Sequence, residues 1–116
     1  PGLLLANPAR LSPDTVPPFL KQWEILFSPP MENQDRYSAK YLEQAIGSEW
    51  IDMNLFSLGP DTVVVDRDQT ALIQLLESHQ MEVVPLKLRH SRMMGGGFHC
   101  VTLDTRRRGK MESYFD

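Results

Sequence analysis

Apolar residues in the first quarter of the chain form short runs that end at prolines and turn residues. Three leucines at positions 3–5 predict a short strand that ends in a turn at Asn7–Pro8. Two prolines before Phe19 predict a short helix that begins there, and Trp23–Phe27 predicts the next strand. The polar, proline-containing segment 28–40 follows. It is predicted to be a surface loop and the most mobile part of the chain.

The second half of the chain has more regular patterns. Partial alternation over Ile51–Leu58 predicts a strand, and Gly59–Asp61 predicts a turn. The run TVVVD at 62–66 is typical of a buried strand. The pattern of 66–80 predicts a helix with one apolar face, formed by Ala71, Leu72, Leu75 and Leu76. Asp66 or Asp68 is the expected N-cap of this helix.

Two further strands are predicted after the helix. The first covers Met81–Leu88, where Pro85 favours a sheet edge or a bulge. The second covers Phe98–Thr105 and carries Cys100 near its start. From residue 51 the order is therefore β-β-α-β, a glycine loop, and a last strand. This order predicts a mixed α/β (α+β) unit in which one helix packs on a small sheet.

Composition and charge exclude several classes of protein. The 116 residues suit a single domain, and they are 41% hydrophobic and 23% charged with a net charge of −3. This balance argues against a generally basic nucleic-acid binder and against a disordered acidic chain. The apolar runs are too short to span a bilayer, and we expect no membrane association. A single cysteine cannot form an internal disulfide, which fits a reducing compartment.

The segment MMGGGFHC places three glycines just before Cys100, the only cysteine. A lone cysteine is most often a buried, small hydrophobic residue. Glycines, however, leave room for a ligand to approach the main chain. A thiol behind such a loop has the access that a nucleophile needs. Residue chemistry alone leaves both interpretations open.

Other candidate sites are weaker. In a strand, His99 and Cys100 would point to opposite faces, so His99 is poorly placed to deprotonate the thiol. His79 and His90 lack metal-ligand spacing with Cys100, and no metal site is predicted. The cations of TRRRGK at 105–110 favour ion pairing within a larger protein over nucleic-acid binding.

The segment SEWIDMN at 48–54 places three polar residues around an aromatic ring. Ser48, Asp52 and Asn54 flank Trp50 closely in the sequence. Such polar groups can line a pocket, but they are equally common at the start of a strand. The pattern leaves both interpretations open.

MGGGFHCVTLDTRRRG, followed by ESYFD at the end of the chain, resembles the C-terminus of the amidinotransferases. This family includes the glycine (L-arginine) and inosamine-phosphate amidinotransferases. SEWIDMNLFSLGPDTVVVD resembles the strand pair that precedes it in the family. The resemblance runs from about Trp23 to Asp116 and is most family-like over 48–116. The chain also begins at Pro1 without an initiator Met, so we expect 1–116 to be the C-terminal fragment of one catalytic domain.

The resemblance implies a fold, a nucleophile and a substrate contact. The fold is the pentein propeller of ββαβ modules, and Cys100 takes the family's nucleophile position. Ser48 matches the second of a family serine pair that contacts substrate. Gly47 departs from that pair, which puts the acceptor substrate in doubt. The catalytic histidine lies upstream in a His-x-Asp motif that none of the chain's histidines has, so the chain alone is expected to be inactive.

The implied activity is transfer of the amidino group of L-arginine to an acceptor amine, with a covalent amidino-cysteine and ping-pong kinetics. The resemblance implies no cofactor. The expected partners are the two small-molecule substrates and the upstream remainder of the protein, with a homodimer allowed for. We expect the cytoplasm, or mitochondria in a eukaryotic source. The alternatives are a hydrolase of the same fold, such as an arginine deiminase or a dimethylarginine hydrolase, and a non-catalytic pentein that binds a partner.

Overall fold

A computed structural model describes residues 2–32, 38–44 and 46–110. The chain divides into two compact units. The first comprises Pro1–Ser28 with Asp104–Asp116, and the second comprises Pro29–Leu103.

The first unit contains a pair of parallel strands. Strand β1 (Leu3–Ala6) pairs with β2 (Glu24–Phe27), and Ala6 lies opposite Phe27 at the end of the register. A short 3₁₀ helix at Pro18–Leu20 lies in the connection, with its two prolines at the start. Parallel pairing requires such a crossover, because a tight hairpin can join only antiparallel strands. Both predicted strands and the short helix are confirmed.

In its described residues, the second unit contains a three-stranded sheet, three α-helices and one 3₁₀ helix. The regular elements in chain order are helix α1 (Ala39–Gln44), a 3₁₀ helix at Ile51–Met53, β3 (Phe56–Ser57), β4 (Thr62–Asp66), α2 (Thr70–Ser78), β5 (Glu82–Leu86) and α3 (Ser91–Met94). The strand order is β3-β4-β5, antiparallel between β3 and β4 and parallel between β4 and β5. The predicted β-β-α-β order and mixed α/β class are therefore confirmed.

The buried apolar residues of this unit lie mainly on its central strand and on one face of helix α2. Val63, Val64 and Val65 of β4 are buried, as are Leu72 and Leu76 on one face of α2. A strand covered in this way reads as a continuous apolar run, which is why its sequence predicted it well. β5 lies at the edge of the described sheet, and its Pro85 is opposite Val65. The edge position expected from that proline is confirmed.

The predicted strand Ile51–Leu58 is mostly wrong. Its first half forms the 3₁₀ helix, and only Phe56–Ser57 joins the sheet. Asn54 separates the two, and its backbone carbonyl accepts a hydrogen bond from the His99 N–H at 3.2 Å. Because that carbonyl is hydrogen-bonded to a distant loop, the pairing of β3 with β4 begins only after Asn54.

The predicted last strand, Phe98–Thr105, is also wrong. Residues 98–101 form tight turns, in which Val101 N–H donates to the Gly97 carbonyl at 3.3 Å and Thr102 N–H to the His99 carbonyl at 3.2 Å. The Thr102 hydroxyl bonds the Phe98 and His99 carbonyls as well. These local bonds use the groups that a strand would offer to a neighbour. His99 and Cys100 therefore lie in a turn and not on opposite faces of a strand.

The predicted surface loop 28–40 is confirmed only in part, because residues 28–32 form no helix or strand but are partly buried. Ser28 and Met31 are buried, and α1 already begins at Ala39. The expected mobility falls largely on residues 33–37, which lie outside the described residues.

The predicted N-cap of α2 is wrong because a distant glutamate takes this role. Asp66 ends β4 and its Oδ1 accepts from the Asp68 N–H at 3.0 Å, before the helix begins. Gln69 occupies the cap position without a side-chain cap bond. The Glu32 carboxylate instead accepts from the Ala71 N–H at 2.8 Å and from the Thr70 hydroxyl at 3.0 Å. Buried Gln69 fixes Glu32 in turn, since its Oε1 accepts from the Glu32 N–H and its Nε2 donates to the Glu32 carbonyl.

Replacing Glu32 with alanine is expected to lower the free energy of unfolding by about 1–2 kcal/mol, the usual cost of losing a helix cap. A negative charge at a helix N-terminus adds a favourable interaction with the helix dipole. Glu77→Ala is the control, because Glu77 is exposed near the other end of the same helix. Urea unfolding of both variants measures the difference. Equal stability of the two would contradict the capping role of Glu32.

Candidate active site

Helix α3 ends at the first of the three glycines. Gly95 is left-handed, with φ of 69°, and the Gly96 N–H donates to the Ser91 carbonyl at 3.2 Å. Glycine adopts this conformation without the strain that a side chain brings. A Cβ at Gly95 would in addition lie 3.1 Å from the side chain of Ile46. The first glycine therefore stops the helix and turns the chain.

The second and third glycines leave room for Cys100 and Asn54, respectively, to pack against the loop backbone. A Cβ built on Gly96 would lie 2.8 Å from Cys100 Cβ. One built on Gly97 would lie 2.5 Å from the Asn54 backbone oxygen and 2.7 Å from Asn54 Cβ. Neither distance occurs between real side chains and their neighbours, so both positions require glycine for steric reasons. Gly96 and Gly97 are themselves buried.

Asn54 holds the loop that carries the cysteine. Its side-chain Oδ1 accepts hydrogen bonds from the Gly97 N–H and the Cys100 N–H, each at 3.0 Å. Its backbone oxygen accepts from the His99 N–H. Asn54, which lies just before β3, therefore accepts hydrogen bonds from three N–H groups that lie more than 40 residues further along the chain.

Cys100 lies in the turn as a free, exposed cysteine. The interpretation as a buried packing residue is wrong, and the role of Cys100 as nucleophile stays a prediction. Its backbone is fixed by Asn54 and its Cβ packs over Gly96. The arrangement presents a thiol at a defined place without enclosing it.

Gly47 contacts the helix that leads into the glycine loop, and Ser48 follows it in the chain. The Gly47 N–H donates to the Arg92 carbonyl of α3 at 2.7 Å, and a Cβ on Gly47 would lie 2.8 Å from that oxygen. The Ser48 Oγ accepts from the Trp50 N–H at 3.0 Å, and the residue is exposed. The two ends of segment 47–54 thus contact the two ends of segment 92–100. Close packing against α3 gives Gly47 a structural reason that the sequence did not reveal.

None of the three histidine side chains forms a hydrogen bond with Cys100 in the described residues. His79 Nδ1 lies 2.8 Å from the Leu75 carbonyl and 3.0 Å from the Ser78 hydroxyl at the end of α2. His90 and His99 are exposed. Within the described part of the chain, no group of three or more His, Cys, Asp or Glu side chains could hold a metal ion.

The basic segment near the end of the chain is exposed. Arg107 bonds and ion-pairs with Asp104, three residues earlier. The hydrogen bond and charge of Asp104 raise the pKa of the Arg107 guanidinium, which stays protonated in any case. In the part of the chain that is described, no helix is long and apolar enough to cross a membrane.

Sequence reasoning singled out Asn54 only as one of several polar groups beside Trp50, and missed its bonds to the loop. The signal that could have found it is the pair of adjacent glycines, since glycines without a turn requirement indicate a close neighbour. Nothing in the local sequence says which residue that neighbour is.

No family model matches the chain. The chain is 48% identical over 114 residues to "Inosamine-phosphate amidinotransferase 1" of Streptomyces glaucescens, covering 98% of this chain and 32% of that protein. It is 35% identical to "Glycine amidinotransferase, mitochondrial" of Gallus gallus, covering 100% of this chain and 26% of that protein. It is also 35% identical to "L-arginine:L-lysine amidinotransferase" of Pseudomonas savastanoi pv. phaseolicola, covering 98% and 30%.

A solved structure shows the same likeness in three dimensions. The inosamine-phosphate amidinotransferase StrB1 of Streptomyces griseus superposes with a TM-score of 0.86 at 48% identity, covering 100% of this chain and 32% of that one. The chain thus spans about a third of the length of the relatives it matches. The resemblance carried by the glycine loop and the strand pair is confirmed: the chain is homologous to the C-terminal portion of the amidinotransferases.

Proposed function

We propose that this chain is the C-terminal part of an amidinotransferase in which Cys100 is the nucleophile. The reaction moves the amidino group of L-arginine to an acceptor amine. The observation that carries the proposal is an exposed cysteine on a loop whose backbone is held by a hydrogen bond to the distant Asn54 side chain. The amidinotransferase names of the relatives support the class of reaction, and one of them includes L-arginine.

The proposed chemistry follows from the electrophile. The guanidinium carbon is a poor electrophile because its charge is spread over three nitrogens. A thiolate is nucleophilic enough to attack it and form a tetrahedral adduct. The bond from carbon to the δ-nitrogen of ornithine then breaks as that nitrogen takes a proton. An acceptor amine attacks the amidino-cysteine, loses a proton and releases the thiolate.

The remaining groups of the proposed site lie outside this chain. The first half-reaction needs an acid for the leaving amine and carboxylates that hold the guanidinium. None of His79, His90 and His99 has the expected His-x-Asp context. We therefore propose that the preceding part of the protein supplies these groups as further modules of a pentein propeller. The 116 residues alone are expected to be inactive.

The acceptor is proposed only as an amine. The relatives' names point to three different acceptors: an inosamine phosphate, glycine and L-lysine. Ser48 is exposed beside Gly47 and is the proposed substrate contact in this chain. Gly47 packs closely against α3, and a serine side chain there would overlap the α3 backbone. A serine at this position would therefore need a different backbone path.

The location also stays a proposal. The proposed location is the cytoplasm, or mitochondria in a eukaryotic source, and the Gallus gallus relative is itself named as mitochondrial.

Arginine supplied without an acceptor is expected to leave the complete protein modified on Cys100, with one ornithine released per active site in a burst. Mass spectrometry of peptides covering 94–106 detects the added amidino unit. Adding glycine, L-lysine or an inosamine phosphate singly shows which amine discharges it. The Cys100→Ser variant is the control and should carry no adduct.

The other outcomes identify the alternatives. Steady formation of citrulline and ammonia would show a hydrolase, because a terminal guanidino nitrogen then leaves instead of ornithine, and water releases citrulline from the thiol. Neither product nor adduct, in a protein that folds and binds arginine, would favour a non-catalytic binding protein. An adduct on another residue would contradict the assignment of Cys100.

A further inference from the structure

The side-chain carbonyl oxygen of Asn54 bonds to the backbone on both sides of the Phe98–His99 dipeptide. Oδ1 takes the N–H of Gly97 before this dipeptide and the N–H of Cys100 after it, both at 3.0 Å. We infer that Asn54 is a positioning residue, whose amide oxygen sets where the Cys100 thiol stands. This inference rests on the proposed role of Cys100 as nucleophile.

The acceptor must be an oxygen that carries no hydrogen. Two N–H donors share Oδ1, so both of its lone pairs are used. Asparagine and aspartate provide such an oxygen at this distance from the backbone, whereas leucine has the same shape and none. A need for this acceptor oxygen therefore distinguishes a positioning role of Asn54 from a role in packing alone.

The contact is long-range and cannot be replaced locally. Asn54 is 43 residues from Gly97 and 46 from Cys100 in sequence. The turns after Gly97 satisfy Val101 and Thr102 through their own neighbours, but they do not reach the Cys100 N–H. Without Oδ1, the Cys100 N–H would have to find water, and the turn would be free to rotate.

The loop constrains the cysteine while leaving its thiol accessible. The Cys100 residue is exposed, and the bonds from Asn54 reach only its backbone. Gly96 lies under the Cys100 Cβ, so a change in the backbone at Cys100 moves the sulfur relative to everything around it. A displacement of about 1 Å at a reacting atom can cost about 100-fold in rate.

The test uses two substitutions in the complete protein. Asn54→Leu keeps the shape and removes the acceptor, and it is expected to lower kcat by about 100-fold with little change in KM for arginine. Asn54→Asp keeps both bonds and adds a charge that disfavours a nearby thiolate. For that variant, the pH midpoint of Cys100 alkylation by iodoacetamide should move upward, and kcat should recover at high pH to at least ten times that of Asn54→Leu.

Asn7→Ala is the matched control. Its side chain also accepts a backbone N–H, from Ala9 at 2.9 Å, but in the turn after β1. It should leave both kcat and the alkylation profile unchanged.

The results separate this inference from the function on which it rests. If Cys100→Ser abolishes activity while Asn54→Leu keeps kcat within threefold, the positioning role is overturned and the nucleophile stands. Equal loss of kcat in the Leu and Asp variants at every pH, with matched melting temperatures, would also overturn it. If Cys100→Ser keeps its activity, the proposed function fails, whereas the effect of Asn54 on the alkylation rate can still be measured.

Discussion

Replacing Cys100 with serine in the complete protein is expected to lower kcat by at least about 1,000-fold while the protein stays folded. A neutral hydroxyl is a far weaker nucleophile than a thiolate, and the covalent half of the reaction has no other route. The substitution exchanges one atom in an exposed side chain, so the melting temperature should hardly change. The backbone bond from Cys100 to Asn54 is kept, because the N–H group is unaltered.

The neighbouring His99 provides the control. It is exposed, and its bond to Asn54 is made by the backbone, so alanine preserves that contact. His99→Ala is expected to keep kcat within about tenfold, since the proposed acid and base lie outside this chain. Steady-state assays with arginine and an acceptor amine compare the two variants. Turnover of Cys100→Ser above a tenth of the unmodified protein would contradict its role as nucleophile.

The elements that were predicted correctly are those whose cause is local. The valine run of β4 and the apolar face of α2 bury the core of the second unit, and each carries its own period in the sequence. Pro85 similarly predicted an edge strand, because proline lacks the N–H group that a central strand needs for its hydrogen bonds. Such signals depend on a few adjacent residues.

The elements that were predicted wrongly are governed by distant contacts. Nothing near Thr70 indicates that Glu32 caps its helix, and the local candidates Asp66 and Asp68 looked sufficient. Phe98–Thr105 has the apolar and β-branched residues of a strand. Its residues 98–101 form turns instead, because Asn54 accepts the N–H groups of Gly97 and Cys100.

The candidate site divides in the same way. The accessible thiol behind glycines could be inferred from the sequence, and the resemblance to amidinotransferases gave Cys100 its expected role. What fixes the thiol could not be inferred, since Asn54 and the glycine loop meet only through the fold. Gly47 is a similar case, because its packing on Arg92 is visible only when α3 is in place.

Gly97→Ala is expected to lower kcat by about 100-fold or more and the free energy of unfolding by about 1–3 kcal/mol. The new Cβ would overlap the Asn54 backbone oxygen and Cβ, and backbone cannot rotate away as a flexible side chain can. Gly97 is not in the left-handed region, so the cost is steric, unlike that at Gly95. The loop is near the surface and can relieve the overlap by moving away from Asn54, which limits the loss of stability.

That same movement should displace Cys100, because the bonds of Gly97 and Cys100 share one oxygen. Activity is therefore expected to fall further than stability. Gly109→Ala is the matched control, since a Cβ there has nothing within 4 Å, and it should leave both quantities unchanged. Steady-state kinetics and thermal unfolding of the two variants provide the comparison. A Gly97→Ala protein with a lower melting temperature and full kcat would show that this glycine serves only packing, and that the position of the thiol does not depend on the contact with Asn54.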